Sequence, residues 1–242
     1  MQMSDASYVN ELTPEEVMPR LRFYGEKIWE KIVNKVRKRE LVGPSWVWIY
    51  DAIERLEHGP EPETLIELIE PTEYERNEIY QLWSKLSERQ REKVIRDITR
   101  DLASRGLEKF LHAVAEAIST LITTIEDIRE RRRALKDALS KADQFMSGEI
   151  SFDELMSAMT ELPSVYGRGR YSFDELMSAS TELLSLWIDT RDRKLRRDVG
   201  LFFKKGVALS KYLTRTELKN LVDKILIREL DKELSKYPEP YW

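Results

Sequence analysis

From Val17 to Leu234 the apolar residues of this chain recur at three- and four-residue steps, and nearly every run of them opens on a helix-capping signal. Thr13-Pro14-Glu15-Glu16 places a capping hydroxyl, a proline at the first helical position and a glutamate at the third. Val17, Leu21, Tyr24, Ile28, Ile32 and Val36 then mark one face of a helix, which Gly43-Pro44 ends. Thr72 with Glu75, Ser87 with Gln90 and Thr214 with Glu217 repeat the device. No alternating strand pattern competes, and nine glycines and nine prolines are too few for a turn-rich sheet fold. The expected fold is all-α: a multi-helix bundle around a long central helix at about 107–141, with a duplicated short-helix appendage.

The expected centre follows from Leu107, Phe110, Leu111, Val114, Ile118, Leu121, Ile125, Ile128, Leu135 and Leu139, which fit one stripe. A helix of about 35 residues spans roughly 50 Å, more than an ordinary domain helix. Gly106 marks a break before it. Residues 1–106 then form an N-terminal helical region. Residues 107–242 carry the spine, the duplicated segment and C-terminal basic helices, and the whole is expected as one compact unit.

Residues 151–162 read SFDELMSAMTEL and residues 172–183 read SFDELMSASTEL, identical at eleven of twelve positions. Ser151 with Glu154, and Ser172 with Glu175, are capping boxes. The stretch from Asp143 to Glu154 also resembles the EF-hand calcium loop. It has acid first, glycine sixth and glutamate twelfth, with Phe145 where the third position needs an oxygen ligand. In the second copy Arg168 and Arg170 repel a cation, so capping is the expected role of both copies. The segment Pro163 to Arg170 reads as a loop.

With no cysteine, disulfides and thiolate sites are excluded, and with only His58 and His112 a histidine-rich metal site is not expected. No metal or other cofactor is expected. Scarce Asn and Gln (four of each) beside abundant Lys, Arg and Glu match a hyperthermophile, archaeal or viral. No leader and no membrane-spanning run is read, so a cytoplasmic or virion location without membrane contact is expected.

Charge is segregated. Residues 61–79 hold seven glutamates against Arg76, while residues 191–215 hold nine basic residues against two acids. Arg191, Arg193, Lys194, Arg197, Lys204, Lys205 and Lys211 are the candidate binding residues, opposite Val199, Phe202, Leu209 and Leu213 on the same helix. Three readings stand: a plainly solvated face, a protein partner such as the acidic 61–79 segment within the chain or in a second copy, or the phosphates of a nucleic acid.

Arg105 and His112, seven residues apart, resemble the arginine–histidine pair of HEPN ribonuclease-type domains, which implies an RNA-cleaving dimer. The resemblance covers those two residues, and Gly106 stands where that family prefers a polar residue. Trp46 and Trp48 cannot share one helical stripe, so one of them faces either an interface or a second helix layer of the core. No phosphate loop, nucleophile elbow or zinc helix motif occurs. The leading expectation is therefore a non-enzymatic structural, assembly or scaffold protein that self-associates. The alternative is a nucleic-acid-binding accessory protein using helix 191–211.

Overall fold

The computed structural model describes residues 12–167, 170–181, 183 and 193–238, with the side chains of 193–197 outside that description. The fold is all-α, and no strand occurs among the described residues. In chain order the helices are α1 (Pro14–Arg37), α2 (Ser45–His58), α3 (Pro62–Ile69), α4 (Glu73–Ser84), α5 (Glu88–Thr124), α6 (Ile128–Ser147), α7 (Phe152–Tyr166), α8 (Phe173–Ser178) and α9 (Arg193–Ala208). A 3-10 turn (Leu209–Tyr212) follows α9. Then come α10 (Arg215–Leu221), a π-helical stretch (Val222–Ile227) and α11 (Arg228–Leu234).

Helix starts follow the local chemistry. The Thr13, Thr72, Ser151, Ser172 and Thr214 backbones donate to the carboxylates of Glu16, Glu75, Glu154, Glu175 and Glu217 at 2.7–2.9 Å. Ser87 uses Gln90 in the same way at 2.9 Å. Each pair satisfies an amide that the first helical turn leaves unpaired.

The chain packs into two compact units, residues 1–41 with 48–104, and residues 42–47 with 105–242. In the first, α1 buries Val17, Leu21, Ile28 and Ile32 beside α3 and α4, which bury Leu65, Ile66, Ile69, Ile79, Leu82 and Trp83. Gly25 lets α1 approach α5 closely, since a Cβ there would lie 2.6 Å from Ile98. In the second unit α6 packs against α7, and α8 against α9. Trp46 is fully buried there, edge-on to Phe110, with its indole N–H donating to the Phe202 carbonyl at 3.0 Å. Gly206 of α9 faces the Phe110 ring so closely that a Cβ would collide with it.

The long central helix is displaced from its expected 107–141 span: α5 runs from 88 to 124 and α6 begins at 128. Gly106 does not break it. Leu102, Ala103, Leu107, Phe110 and Leu111 around it are all buried, and that packing outweighs the roughly 1 kcal/mol helix penalty of one glycine. The cut falls instead at Asp127, whose carboxylate accepts from the Arg129 and Glu130 amides at 2.7 and 3.4 Å. The Arg131 guanidinium donates to the carbonyls of Ile125 and Thr123, closing the end of α5. Asp127 and Glu130 stand at capping-box spacing, a signal that the continuous apolar stripe concealed. The expected loop at Pro163 is also corrected. Leu162, Pro163 and Tyr166 are buried, and their packing carries α7 through the proline to Tyr166.

Candidate interaction surfaces

The acidic segment 61–79 becomes α3 and the start of α4, and its charges meet the basic side of α1. Lys27 pairs with Glu75, Lys31 and Lys35 both pair with Glu70, and Arg20 pairs with Glu78. Arg55 of α2 takes Glu67. Lys27, Lys31 and Lys35 stand at four-residue steps, so one row of α1 addresses two helices. Hydrogen bonds from Lys31 and Lys35 hold the Glu70 carboxyl down at about 2, below its usual 4.5. Lys27, then Thr72, does the same for Glu75, also at about 2. Tyr24 donates to Glu78 at 2.6 Å, and burial, with that carboxylate, raises its phenol. The sequence offered this segment as a partner for the basic helix 191–211. The first unit engages Glu67, Glu70, Glu75 and Glu78 with its own cations.

The basic residues fall differently. Arg191 lies outside the described residues. Arg193, Lys194 and Arg197 lie on α9, and nothing is described of their side chains. Lys204 is exposed and Lys205 half-buried on α9, while Lys211 is exposed on the 3-10 turn. The opposite side of α9 is buried through Val199, Phe202 and Gly206, continued by Leu209 and Leu213, so the amphipathic reading of this stretch holds in its described part. A residue the charge pattern did not pick out is Leu201. It is 50% exposed, three residues before Lys204 and therefore on its side of the helix.

The outer face of α7 carries the opposite sign. Asp153, Ser157, Glu161 and Val165 stand at four-residue steps and all are exposed, Val165 to 64%. Glu154 flanks them. From 142 to 167 the chain holds no lysine or arginine. Sequence reasoning read this stretch for capping and calcium and passed over its surface charge.

The EF-hand-like stretch is no loop. Asp143 to Ser147 are the last residues of α6, and Phe145 is buried edge-on against Phe152. Gly148, at φ 95°, ends the helix in the left-handed conformation, with the Gly148 and Glu149 amides donating to Gln144 at 3.1 and 2.8 Å. Among the described residues no cluster of three or more His, Asp or Glu is placed to hold a metal ion.

Arg105 and His112 share α5 but lie about 10 Å apart along its axis. His112 is exposed on an open groove of about 640 Å³ in the second unit, with Lys109, Glu116, Ser119, Thr120, Thr181 and Glu229. The Glu116 carboxylate accepts there from both the amide and the hydroxyl of Thr181 at 2.8 Å. Of the two tryptophans, Trp46 is core and Trp48 half-buried. Among the described residues no helix is long and apolar enough to cross a membrane. Compared with known proteins, the chain matches no family model, no curated protein and no solved structure.

Proposed function

We propose that this chain is a non-enzymatic assembly or scaffold protein that works through protein contacts on its helical surfaces and self-associates. The observation that carries this reading is Leu201. A half-exposed leucine beside the exposed Lys204 gives α9 an apolar side chain that a protein partner would cover. A surface built only to neutralise phosphates needs cations and gains nothing from that leucine. Glu67, Glu70, Glu75 and Glu78 are paired inside the first unit, which supports a partner other than those carboxylates for the basic helix.

Sedimentation velocity across a concentration series tests it. The expected result is mass that rises with concentration, weakened by Leu201→Ser. A strict monomer at the highest concentration overturns self-association. A second reading, a nucleic-acid accessory role for the same helix, rests on exposed Lys204 and Lys211. A duplex shift assay over a salt series checks it: affinity must fall steeply with salt and drop in Lys204→Glu with Lys211→Glu.

A further inference from the structure

We infer that the partner of the basic α9 face is a second copy of this chain, which docks the acidic outer face of its α7. The inference rests on the assembly reading above and names the surface that completes it. Two observations meet. The first is charge. Residues 142–190 carry nine acids and two arginines, a net −7, whereas residues 191–215 carry nine basic residues and two acids, a net +7. The chain therefore holds two adjoining stretches of equal and opposite charge, and its overall −4 comes from elsewhere.

The second observation is shape and exposure. On α7 the row Asp153, Ser157, Glu161, Val165 repeats every four residues, and each of its members is exposed. On the basic stretch Leu201 and Lys204 are exposed on one side of α9, and Lys211 is exposed on the 3-10 turn that follows. Each face thus combines charge of one sign with one large apolar side chain, Val165 at 64% and Leu201 at 50% exposure. Laid against each other, the two faces bring opposite charges together and remove both apolar side chains from water. A single chain presents both faces, so two copies can satisfy them reciprocally or in a head-to-tail series. Opposed potentials of this kind set encounter rate and register more than they set affinity, so the contact is salt-sensitive.

The test is a charge swap on the full chain. One variant is Ser157→Lys with Glu161→Lys, which spares the capping Glu154. The other is Lys204→Glu with Lys211→Glu. All four positions are exposed, and circular dichroism checks that both variants keep their helix content. In sedimentation velocity the wild type associates, and its dissociation constant rises about tenfold or more between roughly 50 and 500 mM salt. Each variant alone loses association, and an equimolar mixture of the two restores it, because the reversed faces again have opposite sign. If the wild type associates and neither variant changes it, this interface is wrong while the assembly reading stands. A wild type that stays monomeric overturns both. Loss of association in each variant without rescue in the mixture overturns the pairing of these two faces. A monomer whose duplex DNA binding is abolished by the lysine variant assigns the α9 face to nucleic acid.

Discussion

Two copies of one twelve-residue segment, identical except at Met159 and Ser180, fold to different lengths. The first makes a helix that runs to Tyr166, and the second stops at Ser178. Their beginnings agree: the same serine–glutamate box, the same buried Phe, Leu and Met, and an edge-on aromatic contact from each phenylalanine, Phe152 to Phe145 and Phe173 to Phe203. They part in the second turn. In the first copy Ser157 is exposed and Thr160 bonds back to its carbonyl at 2.6 Å, inside a helix that continues. In the second, Ser178 is buried and bonds back to Asp174 at 2.8 Å. The Ala179 and Ser180 amides tighten onto carbonyls three residues back. Thr181, the counterpart of Thr160, gives both its amide and its hydroxyl to Glu116 of α5. A carboxylate 65 residues away thus accepts from Thr181, where the helical backbone resumes after the break at Ala179 and Ser180. The lesson is that a local signal starts a helix reproducibly, while the same signal does not set how far it goes.

The differing residue is the sharpest place to press on this contrast. Met159 is fully buried, and Ser180 is 1% exposed with a hydroxyl that has no hydrogen-bond partner. Met159→Ser should cost the most, about 3 kcal/mol or more, from the lost side-chain burial and cavity together with a buried hydroxyl. Urea unfolding followed by tryptophan fluorescence measures it, and a loss under about 1 kcal/mol would mean that the first copy does not depend on this methionine.

Next comes the wall against which the second copy packs. Gly206→Ala drives a methyl into the Phe110 ring, which itself contacts Phe203, the partner of Phe173. The expected loss is about 1–3 kcal/mol, read in the same unfolding assay. In the other direction, Ser180→Ala removes the unpartnered hydroxyl and should stabilise by about 1 kcal/mol. If it destabilises instead, the serine is making a contact that the second copy needs. The smallest effect is a control on the same helix as Gly206. A Cβ on Gly200 meets nothing within 4 Å, so Gly200→Ala should raise stability by about 0.5–1 kcal/mol through helix propensity alone. Opposite signs at two glycines six residues apart would show that packing, rather than glycine content, sets the tolerance of α9.

Legibility followed the range of the interaction. Capping pairs lie three residues apart, and all six threonine and serine boxes are where the spacing puts them. The polarity of α9 was equally readable, since burial of Val199, Phe202 and Leu209 follows from helical spacing. The cut at Asp127 was masked by an apolar stripe that crosses it, although Ile128 on that stripe is 60% exposed. The partner of the acidic segment was open to two readings, because charge counts cannot say which cation row is close. The four-residue spacing of Lys27, Lys31 and Lys35 was the available hint. Leu201 and Val165 could not be found from pattern, because an apolar residue on a helix looks the same in sequence whether or not a neighbour covers it.

By itself, then, the sequence determined that this protein is all-α, where its capped helices begin, and that its charge is sorted into acidic and basic stretches. Those properties reside in hydrogen bonds and side-chain spacing within one or two helical turns. Tertiary structure alone decided that α5 runs on through Gly106 and α7 through Pro163, which glutamates are already paired, and which apolar side chains stay in water. The Glu116 carboxylate at Thr181, the α1 lysines on Glu70 and Glu75, and the packing that carries α5 through Gly106 all depend on the packed surroundings rather than on capping spacing.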